Sequence, residues 1–174
     1  LLVFAENGVW VIKGIDDVFT PTGYSVTRVS NVGIASRDSL VDVGGVPIWW
    51  SKTGIHTLQI DQVSGRPSEQ NISLTTIQTY FDNLDSNARN KVDGKYDRQN
   101  KKVYWFFPSN TESLNNKKNE VLVLDTQLQA FYPWTISDQA SNTDYVMSAE
   151  FYDSFGSTFE NLTVTNDAGT TVTK

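Results

Sequence analysis

Apolar runs of four to seven residues, dense in β-branched and aromatic side chains and separated by polar or glycine-containing reversals, recur along this chain. Runs of that length and composition predict strands rather than buried helices. Residues 103–107 (VYWFF) and 121–124 (VLVL) are the clearest. The second run ends at Asp125 and passes through a polar turn, 126–129, into an aromatic strand, Ala130-Phe131-Tyr132-Pro133-Trp134. An aspartate in that place can accept hydrogen bonds from the turn's own backbone amides and so fix the reversal. Asp97 holds the same place in the hairpin joining 92–96 to 103–107, whose charged tip carries Arg98, Lys101 and Lys102. Strand, aspartate turn and aromatic strand make a repeatable unit.

The remaining reversals follow the same logic. Asn7-Gly8 supplies the positive backbone angles of a tight hairpin between 1–5 and 9–13, and Gly44-Gly45 does so between 40–43 and 46–50. Gly54 ends a turn at 51–54 that leads into 55–60, giving a three-stranded meander. Pro47 cannot donate to a ladder, so its strand lies at an edge or its nitrogen faces away from a partner. Residues 15–24, 31–39 and 61–70 read as loops, and 25–30 as a strand. One helix is expected as an insertion near 73–86, capped by Ser73, with Leu74, Ile77, Tyr80, Phe81 and Leu84 on one face. A long polar loop covers 109–119. Beyond Trp134, 137–143 is turn-like, 145–152 a strand, 153–157 a turn, and 162–165 with 170–173 a last hairpin.

The fold class expected is all-β and mainly antiparallel, a single β-rich region over 1–174 with one inserted α-helix. Hairpins near Trp10, Trp49 and Trp50, Trp105 and Trp134 each pair a β-branched strand with one carrying Trp or Tyr. Their recurrence suits β-propeller-like blades, with an antiparallel sandwich as the competing arrangement.

Composition narrows the function classes. Among 174 residues there is no cysteine, which excludes disulfides and thiolate-bound zinc. No apolar run approaches the roughly 20 residues of a membrane-spanning helix. The net charge of −6 argues against a protein-wide nucleic-acid surface. Eight of the fourteen basic residues nevertheless fall between positions 89 and 118, whereas after Lys118 only Lys174 faces eight acids. The chain opens in a strand at Leu1, which reads as a piece of a longer polypeptide.

In order along the chain, LVFAENGVWVIKG, VDVGGVPIWWSKTGIHTL, GKYDRQNKKVYWFFP and NEVLVLDTQLQAFYPW resemble successive blades of the tail nozzle proteins of short-tailed bacteriophages, the tail tubular protein B type of podoviruses, and of related hub proteins. The resemblance covers residues 1–134 and rests on patterns rather than invariant signatures. Nozzle proteins are several times longer, so the chain would be a segment of one, and the resemblance does not imply an intact closed propeller. The resemblance implies a non-enzymatic structural protein of the virion, assembled in the host cytoplasm. It implies a homo-oligomeric ring, usually of six subunits, that meets the tail adaptor or portal and other tail proteins. The ring's channel holds or passes DNA during ejection without binding it specifically. An acidic wall suits that task, since carboxylates repel phosphates. No cofactor and no membrane insertion are implied.

The chemistry-bearing residues are weighed against plainer roles. His56, the sole histidine, sits in a predicted strand without a nucleophile context and reads as structural. Asp93 with Asp97, or Asp125 with Asp138, could serve a glycosidase, but Asp97 and Asp125 read first as turn aspartates. Asp82, Asn83, Asp85 and Asn87 lack the glycine and terminal glutamate of a calcium loop. Asn71-Ile72-Ser73 and Asn161-Leu162-Thr163 match glycosylation acceptors, a pattern common by chance. Basic residues at hairpin tips read as solvated or paired with a neighbouring subunit, with DNA contact as the alternative. Trp49, Trp50, Trp134, Tyr80, Lys101 and Lys102 are the expected interface residues, the tryptophans serving core or inter-subunit packing. A sugar-stacking receptor module is the alternative for the tryptophans, and a propeller glycosidase the enzymatic one.

Overall fold

A computed structural model describes residues 1–14, 19–60, 66–110, 117–136, 163–165 and 171–173. The fold is mainly antiparallel β-sheet, as the alternating pattern requires. Where the pattern reads as one region, the chain divides into two compact units, Leu1–Asp82 and Asn83–Lys174. The division falls inside the stretch expected to be one helix, so no change of hydrophobic pattern marks it.

In the first unit β1 (Leu2–Ala5), β2 (Gly8–Gly14) and β3 (Tyr24–Ser30) form a sheet in that order. Ala5 pairs with Gly8, so the two-residue loop is Glu6-Asn7 rather than Asn7-Gly8. Gly8 (φ +156°) opens β2 instead, and a Cβ there would lie 2.6 Å from the Ser30 carbonyl oxygen. The glycine is needed for close approach to β3, beside a register shift at Val9 and Trp10.

A second sheet runs β4 (Val41–Val43), β5 (Val46–Trp50), β6 (Ile55–Ile60) and β7 (Pro67–Asn71). Gly44 and Gly45 are the whole β4–β5 loop, at φ 62° and 90°, and the Gly45 N–H donates to Asp42 Oδ1 at 2.7 Å. Pro47 pairs with Asp42 but lies just outside the pairing of β5 with β6, which begins at Ile48 and Thr57. Strand β7, PSEQN, falls in the stretch read as a connector. It carries no apolar run, and it is a strand because it pairs with β6 from Ile60 to His56. Val9, Ile34, Trp49 and Leu58 form a core cluster, with Phe4 and Val29 packed on it.

The expected helix over 73–86 is not continuous. Two short helices replace it: α1 (Gln78–Asp82) and α2 (Ser86–Arg89). Ser73 does not cap in the expected way. Asn71 Oδ1 accepts from the N–H groups of Ser73 and Leu74, while Ser73 Oγ accepts from the Ile55 N–H at 3.1 Å. Asp85 Oδ1 accepts from the Asn87 N–H at 2.7 Å and starts α2 afresh. Short polar side chains that capture nearby amides compete with a continuing helix. Of the expected apolar face, Phe81 is fully buried against Trp50 (ring centroids 5.0 Å), whereas Leu74 is exposed.

In the second unit β8 (Asp93–Asp97), β9 (Lys102–Phe107), β10 (Glu120–Asp125) and β11 (Ala130–Thr135) form one sheet in the order β11-β10-β9-β8. Both of its hairpins have four-residue loops, and both are built alike. Asp97 Oδ1 accepts from the N–H groups of Gln99 and Asn100, and Asp125 Oδ1 from those of Gln127 and Leu128. The last loop residue is left-handed in each, Lys101 at φ 55° and Gln129 at φ 53°. Thr126 joins the tips by donating its N–H and its hydroxyl to the Lys101 carbonyl. A further antiparallel pair, β12 (Thr163–Thr165) and β13 (Thr171–Thr173), matches the last expected hairpin. The turns and strand expected over 137–157, and Asp138 and Asn161, lie outside the described residues.

Candidate functional site

Side chains alternate across a strand, and directly paired residues share a face. In the β1–β3 sheet, Phe4 and Val9 therefore lie on one face and Val3, Trp10, Ile12, Tyr24, Val26 and Arg28 on the other. The first face is covered at one end: Phe4 meets Trp49 edge-on at 5.2 Å, and Val9 is fully buried, whereas Leu2, Lys13 and Thr27 on the same face are exposed. The second is uncovered. Val3, Tyr24 and Val26 are 37%, 49% and 53% exposed, and the exposed Phe19 stacks on Tyr24 at 5.9 Å. The charge on this face is Arg28. Its guanidinium lies 5.3 Å over the Trp10 ring and donates to the carbonyl oxygens of Asn7 and Ser30. None of the described ion pairs includes it.

The β8–β11 sheet is apolar and buried at the centre of both faces, and its exposed aromatics lie on the edge strand. Val103, Trp105, Phe107 and Leu122 share one face and are fully buried. On the other face Phe106, Val121 and Val123 form a buried floor, flanked by Tyr104. Tyr132 and Trp134, two residues apart on the edge strand β11, share that face and are 39% and 51% exposed. Trp134 meets Tyr104 edge-on at 5.9 Å. Burial pushes the Tyr104 hydroxyl above its ordinary pKa, and the carboxylates of Asp97 and Asp125 add to the rise. At the far end of this face Asp93 pairs with Lys95 at 3.1 Å and Lys118 at 3.5 Å.

Several expected site residues lie elsewhere. Trp49 and Trp50 are both completely buried, so their aromatic surface serves the core of the first unit and neither an interface nor a sugar platform. Tyr80 is half-buried on α1. Lys101 and Lys102 lie at the β8–β9 tip beside Arg98, whereas Arg89, Lys91 and Lys118 lie near the opposite end of the sheet. The basic residues clustered in sequence are thus spread over both ends of the sheet, with Lys95 between them on the face that carries Lys102. Asp93 and Asp97 stand four residues apart on one strand, about 13 Å, beyond the separation that glycosidase carboxylates need. The Asn71 amide oxygen is occupied by Ser73 and Leu74, which binds that glycosylation match into the fold.

His56 has partners that its sequence neighbourhood does not announce. Its Nδ1 lies 2.5 Å from Glu69 Oε1, its Nε2 lies 3.4 Å from Thr53 Oγ1, and its ring stacks on Trp49 at 6.0 Å. Hydroxyl, imidazole and carboxylate occur here in the order of a nucleophilic triad. The imidazole is only 3% exposed, however, and the Thr53 and Ser51 hydroxyls are engaged within the 51–54 turn, where Ser51 Oγ accepts from the Thr53 N–H. The arrangement locks the β5–β6 reversal. Among the described residues no group of three or more His, Asp or Glu side chains could hold a metal ion, and no helix is long and apolar enough to cross a membrane.

No protein-family model matches the chain, and no curated protein sequence matches it.

Proposed function

We propose that this chain is a structural β-module of the phage tail nozzle or hub kind, whose sheets pack side by side as propeller-like blades in an oligomeric wall around a DNA channel. The observation that carries this reading is that a sheet in each unit bears apolar side chains on both faces and leaves large ones exposed, Val3, Tyr24 and Val26 on β1–β3 and Tyr132 and Trp134 on the edge strand β11. A sheet with one wet face alternates apolar and polar residues; a sheet that is apolar on both faces belongs between two layers. Exposed apolar patches of this kind mark interaction surfaces. The blade-like order of the hairpins and the net charge of −6 add support. An acidic wall repels phosphates and lets DNA slide.

The test is assembly together with indifference to DNA. The purified chain should associate into ring-shaped particles visible by electron microscopy, and should not retard duplex DNA at physiological salt. A chain that stays monomeric at every concentration, or that grips DNA tightly, would overturn the proposal.

A further inference from the structure

Backbone hydrogen bonds fix which groups of β3 point away from its sheet. The Leu1 amine donates to the Ile12 carbonyl and the Ile12 N–H to the Leu1 carbonyl, so Ile12 bonds towards β1. Successive residues of an antiparallel strand bond to opposite sides, so Val11 and Lys13 bond towards β3, to Thr27 and Ser25. The N–H and carbonyl groups of Tyr24, Val26 and Arg28 therefore point outward along the free edge of the sheet. No hydrogen bond between described residues satisfies these outward groups, and every residue from Tyr24 to Arg28 is exposed. An open edge is a template for another strand, and natural edges are usually guarded against it. Three others here are: β4 is three residues long, β7 begins at Pro67, and β11 carries Pro133 in mid-strand. Nothing of the kind interrupts Tyr24 to Arg28, and the register shift of β3 falls beyond Arg28.

We propose that β3 pairs with β3 of a second copy, antiparallel about a two-fold axis at Val26, joining two three-stranded sheets into one continuous sheet. The segment YSVTR is complementary to itself in this register. Val26 meets Val26, Tyr24 meets Arg28, and Ser25 meets Thr27, so the outward groups of each strand face those of the other. Directly opposed apolar pairs and hydroxyl pairs stabilise an antiparallel ladder. The two Arg28 side chains stand about 13 Å apart along the strands. Each is held over its own Trp10, which leaves room beside it for the second copy's Tyr24. That self-match selects a second copy over a foreign strand. The contact is isologous and closes on a pair rather than a ring. It goes beyond the wall reading and does not rest on it.

The intact chain carries the test. Val26 is 53% exposed, so replacing it should leave far-ultraviolet circular dichroism unchanged. Val26→Lys and Val26→Asp each set like charges directly opposite at the axis, and in sedimentation velocity each variant alone should pair roughly tenfold more weakly than the original chain. An equimolar mixture should regain the pairs, because lysine then meets aspartate. The absence of cysteine permits a check of register that does not depend on those variants. Under mild oxidation Val26→Cys chains should link to one another, whereas Tyr24→Cys chains, with their cysteines about 13 Å apart, lie beyond disulfide reach and should not. Pairs that persist in both charge variants, a mixture that stays apart, or Tyr24→Cys linking as readily as Val26→Cys would each overturn the contact. Rings that survive both charge variants would sink it and leave the wall reading standing, and pairs that never form rings would support it against that reading. An original chain that stays monomeric at every concentration would sink both.

Discussion

The reversal at 51–54 in the first unit and the twin reversals at 98–101 and 126–129 in the second are all tight hairpins, yet they differ in how much of their fastening comes from distant residues. Asp97 and Asp125 each bind amides two and three residues ahead, so the turn carries its own instructions. The 51–54 turn has local bonds of its own, the Thr53 N–H donating to Ser51 Oγ and the Ser51 N–H to the Gly54 carbonyl, and is fastened from a distance as well. Ser73 Oγ takes the Ile55 N–H, Gln78 Nε2 donates to the Thr53 carbonyl, and Glu69 holds His56. Locally encoded turns form on contacts that involve little loop closure, whereas the distant fastening waits on the pairing of β7 with β6. The first kind should therefore tolerate damage elsewhere, and the second should transmit it.

The largest effect should come from Gly54. It sits at φ +153°, and a Cβ there would lie 2.6 Å from Ser73 Oγ and 2.7 Å from Asn71 Nδ2. Gly54→Ala would force a conformation that L-residues resist and push apart the Asn71–Ser73 anchor. A loss of about 3 to 4 kcal/mol is expected in urea unfolding followed by tryptophan emission. A loss below about 1 kcal/mol would mean that the distant fastening contributes little.

Asp125 tests the other side of the comparison. Asp125→Ala removes the acceptor of two backbone amides and should cost about 1 to 2 kcal/mol, by analogy with the loss of a helix cap. Asp125→Asn keeps an acceptor and should cost less. Amide hydrogen exchange should rise at 126–129 and at Lys102, the neighbour of Asp125 across the sheet, and stay unchanged at 51–54. Equal losses for Ala and Asn would show that the charge, not the acceptor, matters.

The same contrast explains what could be read from the sequence. The strands over 103–107, 121–124 and 130–134, and both aspartate turns, were legible because pattern and hydrogen bonds lie within a few neighbouring residues. Strand β7 was not, because PSEQN becomes a strand only through β6. The helix over 73–86 was overread: spacing identified Phe81 as buried, but could not show that Asn71 and Asp85 would take the amides that a longer helix needs. Trp49 and Trp134 share the same signature, an aromatic residue in a hairpin, and burial alone separates core from exposed edge. The Glu69 partner of His56, thirteen residues away, left no local sign.

The smallest expected effect concerns the other carboxylate of β10. Asp125 at one end is satisfied by amides; Glu120 at the other is partly desolvated, with the Thr135 hydroxyl donating to it at 3.2 Å. Burial raises the Glu120 pKa, and the Thr135 hydrogen bond offsets part of that rise. A carboxyl whose folded pKa lies above its unfolded one favours the fold when protonated. Its contribution is fully present below the unfolded pKa and is lost as pH rises through the folded one. Glu120→Gln keeps an acceptor for Thr135 and removes the charge. Its melting temperature should therefore exceed that of the original chain slightly at neutral pH, with the difference closing as the pH falls to the ordinary carboxylate range. Because Glu120 is half-exposed, solvent screens the effect, and it should be smaller than either turn substitution. A difference that widens on acidification would mean that Glu120 is held as the carboxylate.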